Sequence, residues 1–409
     1  MEIVQPKLRF PEFEGDWDTK KLKQIGSFLG GGTPSTKEGS YWNGDIPWIS
    51  SSDVSDENIF DIRKTRFITT DAVKKSATKL IPKGNILIVS RVGVGKVVIN
   101  DEDICTSQDF TNLILNNSNN FFIAYLIKNE TNKLLEFNQG TSIKGFVKSD
   151  LEELNIILPS LPEQTRIANF LSLIDEKITL LKEKKADLEE YKKGIMHKIF
   201  SQELSFKDDN DEQFEKWQDK TLGDIGETYN GLTGKTKENF GAGKPYIQYK
   251  QIFDDSKIDI SRFELVEINT NEKQNKVSFG DVFFTVSSET PNEIGTASVL
   301  LDKIEELYLN SFCFGFRPNS LEQLSPYYSR YLFRSVLFRN QIVKLAQGST
   351  RFNMSKVQLM KIVVKLPCLA EQIKIANFLS AIDEKIALVN NQIGDTQEYK
   401  KGLLQQLFV

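Results

Sequence analysis

Residues 167–178 read IANFLSLIDEKI, and residues 375–386 read IANFLSAIDEKI, the same dodecamer with one substitution at an offset of 208. Outward from it, 158–200 and 366–408 align without gaps and share 24 of 43 positions. The echo continues upstream, where QGTSIKGFVKSDL (139–151) answers QGSTRFNMSKVQL (347–359) in the same register. Trp17, Leu22, Ile25 and Gly26 answer Trp217, Leu222, Ile225 and Gly226 at an offset of 200. The order is therefore a variable segment, a helical repeat, a second variable segment and a second repeat. Two copies are too few for a solenoid, so a two-part unit has been duplicated.

Each repeat reads as one long helix. Ser160 and Glu163 have capping-box spacing, with Pro162 in the first turn, where no hydrogen-bond donor is lost. Cys368 replaces that serine in the second copy, which predicts a weaker start. Apolar residues fall on a heptad seam, Leu171, Ile178 and Ile199 at one position and Ile174, Leu181, Leu188 and Ile195 at the other. The second copy gives Leu379, Ile386, Ile393 and Leu407 against Ile382, Val389 and Leu403. Lys185, Lys192, Thr396 and Lys400 interrupt the seams, costing stability but specifying register. Helix against helix is the reading favoured; the alternative buries each helix on its own domain. Residues 201–217, acidic and without periodicity, read as an exposed linker.

Bulk composition narrows the chemistry. A chain of 409 residues with 39% apolar and 26% charged residues suits a soluble protein of two or three cored domains. No apolar run approaches a membrane span, and MEIVQPKLRF does not read as a signal peptide, so a cytoplasmic location is expected. Three separated cysteines make neither a disulfide framework nor a zinc knuckle. With a single histidine, His197, inside the helical repeat, the chain argues against Ser-His-Asp and Cys-His catalysis and most zinc sites. The net charge of −4 means that nucleic acid would be held by local patches.

The variable segments read as α+β. KGNILIVSRVGVGKVVI and FGDVFFTVSSETPNEIGTASVL have the pattern of β-hairpins, and 119–137 and 325–346 that of helices stopped by Gly140 and Gly348. Catalytic motifs are missing. GLTGKT (231–236) lacks the first glycine of a phosphate loop, having Tyr229 there, and RVGVGKVV fails at Ser90 and Val97. EYK at 190–192 and 398–400 lies inside the helical repeat without acidic partners at nuclease spacing. Neither an N-P-P-aromatic stretch nor a glycine-rich S-adenosylmethionine loop is present. No cofactor, no metal and no catalytic residue are expected.

Binding features are present instead. Residues 62–100 carry nine Lys and Arg against one acid, Asp71, and residues 327–356 carry six and no acid. Such runs are either solvated faces or phosphate-contacting patches. From the first patch Arg63, Lys64, Arg91 and Lys96 are candidate DNA contacts. Polar residues in glycine-flexed loops can face base edges while cations hold the backbone. They are Gly31, Gly32, Thr33, Ser35, Thr36, Ser50, Ser51, Ser52, Thr141 and Ser142 in the first segment. In the second they are Thr233, Lys235, Thr236, Gln248, Tyr249, Lys250, Ser287, Ser288, Ser349, Thr350 and Arg351. Each is equally readable as plain surface loop.

The duplicated LPxLxEQxxIANFLSxIDEKI…EYKKG helices, each after a variable domain, and the GGTPS…YWNGDIPWISSSD text resemble the specificity subunit of type I restriction–modification systems. The resemblance covers essentially the whole chain, although the second variable domain matches mainly at its edges. It implies target recognition domains at 1–157 and 206–365, with helical repeats at 158–205 and 366–409 packed as an antiparallel coiled coil of pseudo-twofold symmetry. It further implies that each recognition domain reads half of a bipartite site in double-stranded DNA, and that the helices dock two methyltransferase subunits. Motor-nuclease subunits would complete the restriction form, with no catalysis in this chain and no membrane partner. Because the recognition segments share little text, the target should be asymmetric. Identities off the seam, Asn169/Asn377, Asp175/Asp383, Glu176/Glu384 and Lys193/Lys401, point to matched outward surfaces for two copies of one partner. The alternative is recombination that homogenised the helices. A self-contained methyltransferase or nuclease, or a protein-binding coiled-coil scaffold, is the rival reading.

Overall fold

The computed structural model describes residues 5–130, 145–348 and 351–409. Two helices dominate it, Leu161–Phe200 and Leu369–Leu407. The chain forms two compact units, one of Met1–Glu183 with Asn390–Val409, the other of Lys184–Val389. The fourfold division of the sequence describes its repeat, whereas the compact units cut through both long helices. Each unit thus holds a variable segment, the first half of the helix after it and the last half of the other helix.

Burial explains why these long, charged segments hold as helices, since propensity alone rarely suffices in water. In the first unit Leu171, Ile174 and Ile178 share a core with Leu403 and Leu407. In the second, Ile199 joins Ile375, Leu379 and Ile382, with Ile195 and Ile386 packed alongside. An early stretch of one helix meets a late stretch of the other in both units, so the helices pair, as the seam predicts, and the pairing is antiparallel, as the resemblance implies. Glu163 departs from its expected capping role. It is buried and receives two bonds from Arg9, at 2.8 and 2.9 Å. Its counterpart Glu371 accepts from the Trp217 indole at 2.9 Å. Burial raises the Glu371 pKa, opposed by that Trp217 bond.

The first unit is built on strands β1 (Asp18–Lys21), β2 (Gly26–Gly30), β3 (Ile46–Ile49), β4 (Phe67–Ile68), β5 (Leu80–Ile81), β6 (Ile86–Val89), β7 (Val97–Ile99), β8 (Ile104–Thr106), β9 (Phe110–Leu115) and β10 (Asn155–Leu158). One sheet has the order β2-β9-β6-β7 and a second β4-β3-β8-β5, while β1 and β10 form a ribbon. The expected β6–β7 hairpin is present, Ile86 opposite Ile99. Both its strands are fully buried, which accounts for their unbroken apolar text.

The second unit repeats that plan with β11 (Gln218–Thr221), β12 (Gly226–Asn230), β13 (Phe240–Ile247), β14 (Glu264–Val266), β15 (Val282–Thr285), β16 (Ser287–Ser288), β17 (Ala297–Val299), β18 (Tyr308–Leu309), β19 (Cys313–Pro318), β20 (Phe352–Asn353) and β21 (Val363–Leu366). Its sheets run β12-β19-β15-β17 and β14-β13-β18, with ribbons β11-β21 and β16-β20. The expected β15–β17 hairpin is present. The helix read over 325–346 is two helices, Pro326–Leu332 and Val336–Val343, because Ser335 caps the second by accepting from Phe338 N at 3.3 Å. The matching helix of the first unit is Asn120–Asn129. Its expected extension to 137, and the stop at Gly140, lie outside the described residues. Residues 201–217 are less free than a linker, since Leu204 and Phe206 pack on the second core and Phe206 meets the Phe378 ring at 5.6 Å.

Candidate nucleic-acid interface

Four backbone hydrogen bonds gather the candidate loops of the first unit at one end of its sheets. Gly32 N donates to Thr106 O at 2.8 Å, Ser107 N to Ile49 O at 2.8 Å, Ser90 N to Asp109 O at 2.8 Å and Phe146 N to Ser90 O at 3.0 Å. The loops after β2, β3, β6 and β8, with the segment entering at Gly145, therefore meet. The same four bonds recur in the second unit: Leu232 N to Leu309 O, Asn310 N to Ile247 O, Val286 N to Phe312 O and Met354 N to Val286 O, between 2.7 and 3.1 Å. One backbone frame thus carries two unlike sets of side chains.

Close approach explains the two glycines. A Cβ on Gly31 would sit 1.9 Å from Ser107 O, and one on Gly32 would sit 2.5 Å from the Ala77 carbonyl carbon. Gly31 is needed for the loop to lie against the end of β8 and Gly32 for it to pass the Ala77–Thr78 backbone, a structural duty in place of flexibility. Around them the Ser50 amide and hydroxyl donate to Asp53 at 2.8 and 2.9 Å, and Arg66 donates to Ser50 Oγ and Asp53 while lying 4.6 Å over the Trp48 ring. Burial pushes the Asp53 carboxyl up, but the bonds from Ser50 and the charge of Arg66 prevail and hold it below its usual range. The network orients the exposed Ser52 beside it, whose hydroxyl lies 2.9 Å from that of Ser50.

Several candidates are corrected by their surroundings. Lys96 is turned inward onto the Ser51 and Val54 carbonyls at 3.1 and 3.0 Å. Lys64 is bound to Asp101 and Glu102, and Lys235 is nearly sealed against Glu272. That bond from Lys235 pulls the Glu272 carboxyl down to about 2. Ser51, Ser287 and Ser288 are buried, the last two paired with Asn353 and Phe352. Tyr249 spends its hydroxyl on Ser287 O at 2.8 Å, leaving Gln248 half-buried beside it. The basic run 327–356 is largely internal: Arg334 and Arg339 donate to main-chain carbonyls of Ala297, Ile252, Asp255, Gly295 and Asn292.

What stays exposed is Thr33, Ser35, Thr36, Ser52, Arg63 and Arg91 in the first unit, and Thr233, Thr236, Lys250 and Arg351 in the second. Thr141, Ser142, Ser349 and Thr350 lie outside the described residues. Phe312, 60% exposed on the second unit's loop cluster, was not singled out by the sequence. Its only signal is an aromatic residue after Asn310, which holds its amide at 2.8 Å. Among the described residues no cluster of His, Cys, Asp or Glu could hold a metal. No described helix is long and apolar enough to cross a membrane.

The off-seam identities divide. Asn169, Glu176, Lys193, Asn377, Glu384 and Lys401 are exposed. Asp175 and Asp383 do not face outward. Asp175 is 2% exposed, accepts from the Tyr125 hydroxyl at 2.7 Å and is ion-paired with Lys400. Asp383 accepts from Tyr331 at 2.8 Å, pairs with Lys192 and has Arg330 at 3.1 Å. The lysines lie over the same tyrosine rings, 5.3 Å in the first unit and 5.4 Å in the second. Burial, ahead of the aspartate charge, raises the Tyr125 pKa, and burial pushes Tyr331 up to about 12. Both phenols therefore remain donors. The seam "interruptions" Lys192 and Lys400 are these partners.

A family model described as type I restriction modification DNA specificity domain matches residues 14–190 and again 214–396. The type I restriction enzyme MjaIX specificity subunit of Methanocaldococcus jannaschii is 34% identical over 262 residues, 61% of this chain and 61% of that one. The matched part is thus under two thirds of that relative's length. The MjaVIII specificity subunit of the same organism is 24% identical over 422 residues, covering 98% of this chain and 93% of its own. Among solved structures, the type I S subunit from M. genitalium superposes with a TM-score of 0.57 at 18% identity, over 99% of both chains. A structure from work on complex assembly and conformational transition of the type I system gives 0.60 at 18% identity, over 96% of both. These two likenesses concern the fold, and they agree with paired recognition domains joined by long helices.

Proposed function

This chain belongs to the type I restriction–modification DNA specificity family, and from that membership we propose that each unit reads one half of an asymmetric bipartite duplex site. As a specificity subunit it is a DNA-recognition component without catalysis of its own. In the proposed mechanism the exposed loop residues of each frame face the groove, Ser and Thr hydroxyls toward base edges and Arg63, Arg91, Lys250 and Arg351 toward phosphates. Two methyltransferase subunits dock on the repeated outer residues of the long helices, and motor-nuclease subunits join them in the restriction form, in the cytoplasm. The observation that carries the reading is the recurrence of one loop-bearing backbone frame with different side chains beside helices whose text stayed alike.

Helix length supports the spacing role. Forty residues in the first long helix amount to about 60 Å at ~1.5 Å per residue, longer than one turn of B-DNA at ~34–36 Å. The test is to express the chain with a methyltransferase partner and sequence the methylated positions in the host DNA. The expected motif has two unlike blocks separated by a fixed gap. A contiguous motif, or methylation or cleavage by the purified chain alone, refutes the reading.

A further inference from the structure

The two aspartates left unabsorbed by the partner-docking reading each touch three elements. Asp175 belongs to the first long helix, takes the hydroxyl of Tyr125 from the recognition domain's helix and takes the ammonium of Lys400 from the second long helix. Ser172 stands 3.5 Å from the same hydroxyl. Asp383 repeats the arrangement with Tyr331, Lys192 and Ser380, the last at 3.2 Å. Apolar seams are poorly directional, and a helix can slide or roll on them at modest cost. A buried, hydrogen-bonded charge has one good position, and polar residues inside helix interfaces are the best-attested devices for fixing register.

We propose that Asp175 and Asp383 are positioning residues that lock each recognition domain to one register of the helix pair, and so set the gap between half-sites that the enzyme accepts. The inference rests on the bipartite reading above. A slip of one helical turn is about 5.4 Å, which is roughly 1–2 base pairs at ~3.4 Å each. A loosened node therefore admits sites whose gaps differ by that amount, with the bases of each half-site still read by the untouched loops.

The test reconstitutes the chain with its methyltransferase and measures methylation on a library of fixed half-sites whose gap is varied by up to two base pairs. Two variants probe the node. Asp175→Asn with Lys400→Met removes both charges, so that no buried charge is left unpaired and the fold is kept. Tyr125→Phe removes only the hydroxyl that ties the recognition domain to the node. The expected result for both is a broadened gap distribution, the preference for the wild-type gap over its neighbours falling about tenfold, the scale of one hydrogen bond to a charged group. Half-site bases stay unchanged, and Lys400→Arg keeps the wild-type preference. A gap distribution identical to wild type overturns the inference, as does a uniform loss over all gaps, which marks a merely structural support. If the wild type shows no two-block motif, the underlying reading falls; if it discriminates gaps and the variants match it, only the inference falls.

Discussion

Lys400→Met should destabilise the first unit far more than Lys192→Met destabilises the second, although the residues are equivalent in the repeat. Asp175 is 2% exposed and Lys400 has a side chain 8% exposed, so truncation strands a carboxylate with the Tyr125 hydroxyl as its chief remaining donor. Nearby Lys128 is committed to the Asp56 carbonyl. Breaking a buried ion pair in this way costs about 3–5 kcal/mol. In the second unit Asp383 and Lys192 are 19% and 23% exposed, and Arg330 remains 3.1 Å from the carboxylate, so the charge keeps a cationic partner and the cost falls to that of one lost hydrogen bond, about 1 kcal/mol. With a urea dependence of about 2 kcal/mol per molar, the first change moves the unfolding midpoint by roughly 1.5–2.5 M and the second by about 0.5 M or less. Tryptophan fluorescence separates them, because Trp17, Trp42 and Trp48 report on the first unit and Trp217 on the second. Equal midpoint shifts, or a larger one for Lys192→Met, would refute the argument that the spare arginine compensates.

Gly31→Ala drives a methyl group into the Ser107 carbonyl, and overpacking of this kind costs about 1–3 kcal/mol or more; an unchanged melting temperature would contradict the close approach. Arg63→Ala and Arg91→Ala, assayed with the methyltransferase partner, should each lower the salt slope of DNA binding by about 0.9, whereas Lys235→Ala should leave it unaltered because its charge is held by Glu272. Glu371→Gln should stabilise the chain at neutral pH. The buried carboxyl has a folded pKa above its unfolded value, so it holds its proton more tightly when folded, and its contribution to stability falls as pH rises from the unfolded pKa through the folded one. Glutamine keeps the acceptor for Trp217, and thermal melts from pH 4 to 8 should show the variant losing less stability over that range.

The long helices were legible because a seam every three or four residues, written twice, admits few other meanings. The hairpins were legible from buried β-branched runs bounded by glycine. The shared frame of the two recognition domains was not, since it is made of main-chain bonds such as Gly32 N to Thr106 O and Leu232 N to Leu309 O, which any side chains can accompany. Charge runs misled for a related reason. Arg334 and Arg339 are spent on carbonyls brought near only by the fold, and Lys96 caps a turn contributed by Ser51 and Val54. Asp175 is an identity that the seam does not require, yet off the seam is not the same as outward, because a helix packed by both a partner helix and a recognition domain has two buried sides. Glu163 looked like a cap until Arg9, 154 positions earlier, claimed it.

Because Lys192 is to Asp383 what Lys400 is to Asp175, a fragment ending near residue 205 already owns both halves of the lock: its own aspartate and the lysine that another copy would need. Two such fragments are mutually complementary, knob to socket, with no foreign helix required. On the bipartite reading proposed above, the homodimer would present one vocabulary twice in opposite directions, and its DNA would be a palindrome interrupted by the same length of unread sequence.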